Sequence, residues 1–453
     1  MERQRPKEQD RIQRRSNFEA VEENFTPEQA KNEASRCLNC KNPRCVQGCP
    51  VNIQIPQFIQ AVKEDNLEKA GEIIRQTSML PSVCGRVCPQ ERQCEGNCVL
   101  GIKGEAVAIG ALERYVGDNT RPVPSEITPS GKKVAVIGSG CAGITAASDL
   151  RKAGHEVVVF EALHKFGGVL RYGIPPFRLP RVVLDREIDS LKAMGVEFKK
   201  NVIVGKSITI KQLEEDGFDA IFICSGAGLP KMMNIPGENL NGVFSANEFL
   251  TRVNLMQAND ESTPTPLKVG KSVAVIGGGN VAMDAARCAL RLGADKVYIV
   301  YRRGLEELPA RHEEVEHAME EGIEFKLLTN PTQIIGDDNG FVSKMKCIEM
   351  ELGEPDASGR RRPVEKPNSE FELEVDCVIM SLGTSPNPLI KSTTPGLDTE
   401  RWGGIIVKDN GETSVEGVFA GGDAVTGAAT VILAMGAGKV AASGIDEYIK
   451  SKK

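Results

Sequence analysis

The 453-residue sequence contains no long hydrophobic run, only four histidines and fewer basic than acidic residues. Its longest weakly charged stretch, residues 424–438, is too short and too rich in Gly and Ala for a membrane span, so we expect no transmembrane segment. The first twenty residues carry charge but no apolar core, which argues against a secretory signal and favours a cytoplasmic protein. The formal net charge of −6 argues against a nucleic-acid partner. The four histidines form no pattern with Ser, Asp or metal ligands.

Cysteine is abundant instead, and eight of the 13 cysteines are crowded between residues 37 and 98. Without an export signal, such crowding predicts metal or cluster ligation rather than disulfides. The first group reads C-x2-C-x4-C-x3-C-P, an ending that bacterial ferredoxins share, and the second reads C-x3-C-x5-C-x3-C. Two [4Fe–4S] clusters with four ligands each would use all of these cysteines.

Zinc is the alternative occupant of these cysteines. Structural zinc sites usually use two well-separated C-x2-C pairs, and the crowded region has only one such pair. The spacing therefore favours clusters. The five other cysteines are scattered and are interpreted as small core residues. None of them forms a C-x-x-C pair, so we do not expect a disulfide reductase of the thioredoxin reductase kind.

A unit of strand, Gly-rich turn and helix occurs twice, at residues 133–152 and 272–292. In the first unit, the turn is G-x-G-x-x-G, which is typical of a pyrophosphate-binding turn opening a helix. A carboxylate at the end of the next strand suits two ribose hydroxyls and disfavours a 2′-phosphate. The candidate nucleotide-binding residues of this unit are Gly138, Gly140, Gly143 and Glu161.

The second unit has G-x-G-x-x-A, and its second strand ends in two arginines instead of a carboxylate. Guanidinium groups pair well with a phosphate, so this unit is predicted to prefer NADP(H) to NAD(H). The alternative is that the arginines form ion pairs with Glu306 or Glu307. Asn280 and Asp284 are further candidates for orienting the ribose or the nicotinamide. The candidate binding residues are Gly277, Gly279, Asn280, Ala282, Arg302 and Arg303.

Two further segments resemble two-domain flavoproteins and favour FAD in the first unit. They are Gly-Gly-Val-Leu at residues 167–170 and a strand running into Gly-Gly-Asp at residues 417–423. The resemblance implies that Asp423 holds the ribityl chain. A helix starting near residues 428–430 would direct its positive end at the flavin and favour the anionic reduced form. The additional candidate FAD-binding residues are Gly168, Leu170, Gly422, Asp423 and Thr430.

These units give the predicted domain organisation. Residues 1–125 form an α-helical domain with two [4Fe–4S] clusters, and linkers rich in Pro, Ser, Thr and Gly follow at residues 118–131 and 259–270. The rest is α/β, with two Rossmann-like dinucleotide-binding domains and the NADP(H) domain inserted in the FAD domain. The predicted bounds are 131–245 with 385–453 for the FAD domain and 246–384 for the NADP(H) domain.

This order of elements resembles the glutamate synthase small (beta) subunit family of FAD, NAD(P) and iron–sulfur oxidoreductases. The family also includes the N-terminal part of dihydropyrimidine dehydrogenase. Local strings at residues 83–99, 159–175 and 300–311 are most similar to one branch of it. That branch holds the large subunit of NADH-dependent reduced ferredoxin:NADP oxidoreductase, the sulfide dehydrogenase alpha subunit and the homotetrameric-type NADPH glutamate synthase.

The resemblance also implies a ligand set for each cluster. One cluster would take Cys37, Cys40, Cys45 and Cys98. The other would take Cys49, Cys88, Cys94 and the non-cysteine ligand Glu113. Cys84, which the cysteine count alone would make a ligand, would then be a bystander.

The resemblance implies no catalytic residue beyond FAD, since hydride transfer needs no protein acid or base. Arg171, Tyr172 and Gly173 would lie near the isoalloxazine ring, with loop packing as the alternative role for each.

The expected activity is that of an NADPH-linked flavoprotein oxidoreductase relaying electrons between NADP(H), FAD and the clusters to a partner protein. The first interpretation is the large subunit of an electron-bifurcating ferredoxin–NADP transhydrogenase. The alternatives are a glutamate synthase small subunit and the electron-input subunit of a sulfide or dihydropyrimidine dehydrogenase. A non-catalytic carrier is disfavoured by two intact nucleotide fingerprints and a full cysteine set.

The expected partner depends on which interpretation holds. It is an FAD/[2Fe–2S] reductase-like small subunit or an FMN-containing large subunit, and ferredoxin is a further candidate. On its own, the chain is not expected to make glutamate by the glutamine route.

Replacing Arg302 and Arg303 by Ala should raise the KM for NADPH much more than that for NADH, because only NADPH carries the 2′-phosphate. Steady-state kinetics with both coenzymes measures the ratio. An unchanged ratio would contradict the assignment of these arginines.

Overall fold

Six helices form the N-terminal region of the computed structural model, which describes residues 2–122, 126–260 and 262–452. A capping box at Thr26 starts the first helix, and Phe58, Ile59 and Val62 line the buried face of the third. The helices are α1 (Pro27–Ser35), α2 (Arg44–Gln47), α3 (Ile55–Lys63), α4 (Leu67–Arg75), α5 (Pro81–Val87) and α6 (Ile109–Asn119). Short 3-10 turns lie at Gln13–Ser16, Gln90–Arg92 and Val99–Ile102.

The first α/β unit begins after the first predicted linker, of which residues 123–125 lie outside the described ranges. Its elements are β1 (Lys133–Ile137), α7 (Cys141–Lys152), β2 (Glu156–Glu161), α8 (Val169–Tyr172), α9 (Arg181–Ala193), β3 (Glu197–Lys200), α10 (Ile210–Glu215) and β4 (Ala220–Ile223). Strand β1, KVAVI, is a run of β-branched and small apolar residues, as expected for a strand buried on both faces.

A second α/β unit follows and contains the second predicted linker, of which residue 261 is outside the described ranges. Its first elements are β5 (Leu229–Pro230), β6 (Val243–Ser245), α11 (Ala246–Leu250), β7 (Ser272–Ile276), α12 (Asn280–Arg291), β8 (Lys296–Tyr301), α13 (His312–Glu320) and β9 (Glu324–Leu327). The remaining strands are β10 (Thr329–Gly336), β11 (Val342–Pro355), β12 (Arg361–Glu374), β13 (Cys377–Met380) and β14 (Thr384–Ser385).

The chain then returns to the first unit with α14 (Leu389–Thr393), β15 (Val418–Ala420), α15 (Asp423–Thr426) and α16 (Val431–Ser451). The first sheet has the order β15-β4-β1-β2-β3 and the second β6-β13-β7-β8-β9, and both are parallel throughout. Strands β10-β11-β12 form an antiparallel sheet, and β5 pairs with β14. The predicted fold class, with one dinucleotide unit inserted in another, is confirmed.

Two details differ from the expected element boundaries. Strand β6 pairs with β13 of the second sheet, so the chain has left the first sheet before residue 243, ahead of the predicted bound at 246. Helix α6 continues to Asn119, so the first two residues of the predicted linker at 118–131 are helical. Among the described residues, no helix is both long and apolar enough to cross a membrane.

A single apolar core joins the helical region to one face of the first sheet. Val134 and Val136 of β1 face this core together with residues of α3, α5, α7 and α16, whereas Ala135 and Ile137 face a separate core on the other side. The cysteine groups are part of the shared core. Its continuity therefore fixes the helical region directly against the first α/β unit.

The second α/β unit is held to the rest of the chain by buried ion pairs. Arg14 of the N-terminal segment, Arg287 and Arg291 all contact Glu321, with N–O distances of 3.1, 2.8 and 2.6 Å. Arg287 also contacts Glu314, at 2.5 Å. Charged neighbours keep the pKa of Glu321 at about 2, against the opposing effect of burial.

Replacing Arg287 by Met should destabilise the protein by about 3–5 kcal/mol, because it leaves buried carboxylates of Glu314 and Glu321 less compensated. Thermal unfolding followed by circular dichroism should show a drop on the order of ten degrees. Arg11→Gln, at an exposed arginine, is the control and should melt like the wild type. A wild-type melting temperature for Arg287→Met would contradict the role of this network.

Candidate functional site

The first Gly-rich turn connects β1 to α7, and each glycine in it meets a different steric demand. Gly138 has φ +116°, and a Cβ there would lie 2.5 Å from the carbonyl oxygen of Cys224. A Cβ at Gly143 would lie 2.0 Å from the carbonyl oxygen of Gly138, so this residue permits close packing of helix on turn. A Cβ at Gly140 would meet no heavy atom within 4 Å, which leaves that backbone open to a ligand.

Glu161 lies at the end of β2, as predicted, and is buried beside the same turn. Its carboxylate accepts hydrogen bonds from the backbone N–H and hydroxyl of Ser139, at 3.1 and 2.5 Å, and from the N–H of Leu163 at 2.9 Å. The hydroxyl of Ser139 in turn accepts from the N–H of Gly167 at 2.9 Å. Ser139 therefore orients both the carboxylate and the Gly-Gly loop, a role that no spacing in the sequence indicates.

The Gly-Gly-Asp turn brings Asp423 to the start of α7. A Cβ at Gly422 would lie 3.0 Å from that of Ala142, and one at Gly438 of α16 would lie 2.4 Å from the Ala142 carbonyl oxygen. Burial raises the pKa of Asp423 to about 6, and the N–H of Ala429 opposes this by donating to its carboxylate. Thr430 caps α16 at the predicted place. The Gly-Gly-Asp turn and α16 therefore pack against the first turn of α7.

Tyr172 lies between the two ends of this site. Burial, followed by the carboxylates of Asp423 and Glu161, raises the pKa of its hydroxyl to about 12. Leu170 is fully buried, and a Cβ at Gly168 would lie 2.9 Å from the Gly140 Cα. The turn at residues 167–173 therefore closes over the first Gly-rich turn.

Arg171 and Gly173 lie on the same turn as Tyr172 but have local contacts. The Arg171 guanidinium donates to the carbonyl oxygen of Phe166 at 3.1 Å and pairs with Asp185. A Cβ at Gly173 would lie 2.7 Å from Val169 Cγ2. Their proximity to a flavin ring stays a prediction.

The second Gly-rich turn repeats the geometry of the first. Gly277 has φ +140°, and a Cβ there would lie 2.3 Å from the Ser381 carbonyl oxygen, while a Cβ at Gly279 would meet nothing within 4 Å. Ala282 is fully buried in α12. The Asn280 side chain accepts from the N–H of Arg311 at 2.9 Å, so it anchors the loop after β8.

Asp284, the other candidate beside the second turn, lies on α12. It is buried and pairs with Arg178 at 2.7 Å, in the contact between the two α/β units. This contact gives Asp284 a structural role, and its part in orienting the ribose or the nicotinamide stays a prediction.

The two candidate phosphate-binding arginines are in different environments. Arg302 is exposed, and no ion pair involving it is found among the described residues. Arg303 is buried, with its guanidinium held by Asp356 at 2.5 Å and by the carbonyl oxygen of Arg361 at 2.8 Å. Neither arginine pairs with Glu306 or Glu307, the alternative that the sequence left open; within the described chain those carboxylates contact Arg361.

The fold places the eight cysteines between residues 37 and 98 in two groups. Cys37, Cys40, Cys45 and Cys98 line one small cavity near the surface, between the loop before α2 and the turn at Val99–Ile102. Burial and then the neighbouring thiols, Cys37 and Cys98, raise the pKa of Cys45 to about 11. This group is the one that the resemblance implied for the first cluster.

The second group lies deeper and surrounds the carboxylate of Glu113 on α6. Burial raises the pKa of Cys49 to about 11, and Glu113 and Cys88 add to the rise. Burial also raises the pKa of Cys94, followed by the charges of Glu95, Glu113, Cys88 and Cys49. Glu113 is buried, its Oε1 has no hydrogen-bond partner, and burial raises its pKa to about 8. A buried carboxylate without a partner is costly, so a positively charged group fits this position.

Cys84 also lies at the second group, and the structure leaves both it and Glu113 within reach. Its thiol already contacts Cys88 and the thioether of Met435, with the Sγ–Sδ distance at 3.5 Å. Glu113 has no comparable contact, which favours Glu113 as the fourth ligand. Within the described ranges, no group of three or more His, Cys, Asp or Glu side chains is arranged to hold a single metal ion.

A larger cavity, of about 420 Å³, lies near Asp219, Glu416 and Tyr448. It is at the amino-terminal ends of strands β4 and β15, whereas the first Gly-rich turn follows the carboxyl end of β1. None of the predicted site residues lines it.

Family comparisons match both the N-terminal helical region and the α/β region of the chain. Residues 14–123 match the family described as dihydropyrimidine dehydrogenase domain II, 4Fe-4S cluster, and residues 132–438 match the pyridine nucleotide-disulphide oxidoreductase family.

Two relatives show how much of the chain is shared. The glutamate synthase [NADPH] small chain of Escherichia coli K12 is 38% identical over 449 residues, covering 96% of this chain and 95% of that protein. The NADP(+)-dependent formate dehydrogenase subunit beta of Moorella thermoacetica is 40% identical over 435 residues, covering 90% of this chain and 60% of that protein.

Among solved structures, FprA of Mycobacterium tuberculosis in complex with NADPH has a similar fold. Its TM-score is 0.60 at 22% identity, covering 71% of this chain and 85% of that one.

Replacing Glu113 by Ala should lower the iron content from about eight to about four atoms per chain, because the deeper cluster loses a ligand. Cys84→Ala is the matched control and should keep about eight. Iron analysis and low-temperature electron paramagnetic resonance of anaerobically purified protein measure both. The reverse result, with loss only in Cys84→Ala, would make Cys84 the ligand.

Proposed function

Because this chain belongs to the glutamate synthase small-subunit family, we propose that it takes electrons from NADPH and delivers them through two cysteine-bound clusters to a partner subunit. Family membership makes the chain an oxidoreductase with FAD, NADP(H) and [4Fe–4S] cofactors, in agreement with the sequence prediction. The assignment of individual residues to these cofactors and the identity of the partner are the parts that are proposed.

The observation that carries the proposal is the contact between the deeper cysteine group and the start of α16. A Cβ at Gly436 would lie 3.7 Å from Val51 Cγ1 and 3.9 Å from the carbonyl oxygen of Pro50, which follows Cys49 directly. Cys141, the first residue of α7, is close enough to both Asp423 and Cys88 for their charges to raise its pKa after burial. A flavin held at Asp423 and Thr430 would therefore be a near neighbour of the deeper cluster.

The residues of the FAD site would act by binding and orientation. The open backbone at Gly140 and the N-terminus of α7 suit the pyrophosphate, Glu161 the ribose, and Asp423 with Thr430 the flavin end. The turn that carries Tyr172 closes over the site and excludes water. Bound FAD supplies hydride exchange with the nicotinamide and single-electron exchange with the clusters.

The coenzyme site would act in a similar way. Gly279 and the N-terminus of α12 suit the pyrophosphate of NADP(H), and exposed Arg302 suits its 2′-phosphate. Because Arg303 is committed to Asp356, we assign it to holding the loop rather than to binding the phosphate directly. This narrows the sequence prediction, which gave both arginines the same role.

The surface around the outer cysteine group supports transfer to a partner protein. Leu38, Val99 and Ile102 expose 60%, 37% and 67% of their surface beside the cavity lined by that group. Lys41, on the adjoining loop, and Arg44, the first residue of α2, are exposed, and neither forms an ion pair within the described chain. An apolar patch with a basic rim suits an acidic partner surface.

Two kinds of partner subunit are compatible with this relay. The strings at residues 83–99, 159–175 and 300–311 favour the ferredoxin–NADP transhydrogenase interpretation, in which the partner is an FAD/[2Fe–2S] small subunit. The match to the E. coli glutamate synthase small chain over almost the whole of both proteins favours an FMN-containing synthase subunit. Both interpretations use the same relay inside this chain.

Anaerobic purification from the native host, followed by identification of the co-purifying protein, should yield one of these two partners. The transhydrogenase interpretation predicts a small FAD/[2Fe–2S] subunit, and the glutamate synthase interpretation predicts a large FMN-containing subunit. Isolation of the chain without a partner would count against both, and ferredoxin and polysulfide would then be tested as acceptors. In each case, anaerobic NADPH should bleach the flavin absorbance. Failure to do so would contradict the relay itself.

A further inference from the structure

The hairpin of β11 and β12 packs against the loop that follows β8. Arg303, on that loop, is held by the carboxylate of Asp356 and the carbonyl oxygen of Arg361, both at the turn of the hairpin. A Cβ at Gly304 would lie 3.5 Å from Leu352 Cδ1 of β11. The hairpin is therefore attached to the segment that carries the candidate phosphate-binding arginine.

Arg361 of the hairpin neutralises two carboxylates on the same loop. Its Nε lies 2.5 Å from Glu307 Oε1, and its Nη2 lies 3.1 Å from Glu306 Oε2. Glu307 is buried, its second oxygen has no hydrogen-bond partner, and Arg361 is the cation that it contacts among the described residues. Glu306, in contrast, is mostly exposed.

These charges lie close to the second Gly-rich turn. The N–H of Ala310 donates to the carbonyl oxygen of Gly278 at 3.2 Å, and a Cβ at Gly278 would lie 2.9 Å from the Tyr301 ring. The loop from Tyr301 to Ala310 therefore folds back onto the turn and presents Arg302, Glu306 and Glu307 on one short segment. A phosphate bound at this segment would meet repulsion from the two glutamates unless they were neutralised.

We propose that the β11–β12 hairpin is a coenzyme-specificity element, in which Arg361 neutralises Glu306 and Glu307 so that Arg302 binds the 2′-phosphate. Arg303 and Arg361 are positioning residues in this arrangement, and Arg302 is the contacting residue. The inference rests on the proposed NADP(H) site. It adds to that site the β11–β12 hairpin, whose Arg361 is more than fifty residues from Arg303 in sequence.

Binding of two probes to the purified holoenzyme tests the hairpin without relying on turnover. Adenosine 2′,5′-bisphosphate carries the distinguishing phosphate and 5′-AMP does not, and isothermal calorimetry gives both affinities. Arg361→Gln should weaken binding of the bisphosphate about tenfold, while binding of 5′-AMP changes less than about twofold. Arg362→Gln removes the same charge from the next residue, which is exposed, and should leave both affinities unchanged.

Rescue distinguishes neutralisation from direct phosphate contact. In the Glu306→Gln, Glu307→Gln background, Arg361→Gln should have little effect on bisphosphate binding, because no carboxylate is left to neutralise. A full tenfold loss in that background would show that Arg361 contacts the phosphate itself and would overturn the proposal. So would an unchanged bisphosphate preference in Arg361→Gln alone.

A second variant keeps the test decisive if Arg361→Gln fails to fold. Asp356→Asn keeps the side-chain shape but weakens the hold of Arg303 on the hairpin, and should lower the bisphosphate preference about threefold. An unchanged preference there would count against the hairpin.

Arg302→Gln separates the hairpin from the NADP(H) site itself, because it should abolish the preference. A wild-type protein without any preference for the bisphosphate would overturn the NADP(H) assignment and not merely the role of the hairpin.

Discussion

The apolar core shared by the cysteine helices and one face of the first sheet is the constraint on which the rest of the site depends. Helix α16 is central to it, since Gly438 allows close contact with α7 while Met435 reaches Cys84 of α5. Close-packed protein interiors have low compressibility, so elements that share such a core are held at fixed distances from one another. The separation between the deeper cysteine group and the Gly-Gly-Asp turn is therefore set by this packing.

Placing ligands in such a core has an electrostatic consequence. Burial raises the pKa of Cys49 and Cys94 and of the Glu113 carboxyl, so the protein without clusters would hold these groups neutral near pH 7. Metal ligation requires deprotonated side chains, so a cluster bound by these groups would displace their protons. If these side chains hold the deeper cluster as proposed, its iron would compensate charges that the apolar core alone disfavours.

The second α/β unit is attached by buried ion pairs as well as by apolar contacts of Val21 and Phe177. Arg14 of the N-terminal segment and Arg178 of the first unit reach into it, where they pair with the buried carboxylates of Glu321, Asp284 and Glu314. Ion pairs depend on orientation more strongly than apolar contacts do. Removing one partner of a buried pair leaves the charge of the other uncompensated in the interior. The helical region and the first α/β unit thus share one continuous apolar core, whereas the attachment of the second unit also depends on directional ion pairs.

Sequence analysis succeeded where the determining contacts are local. The glycines of both turns, Glu161 at the end of its strand and Thr430 at its helix cap are all governed by neighbouring residues, and their positions could be predicted. The roles of the two neighbouring arginines could not, because the same residue type serves both. The contacts of Arg303 with Asp356 and Arg361 distinguish its role from that of Arg302, and it is the β11–β12 hairpin that brings these partners near. Residue type predicts that a phosphate can be bound, whereas long-range pairing decides which guanidinium is free to bind it.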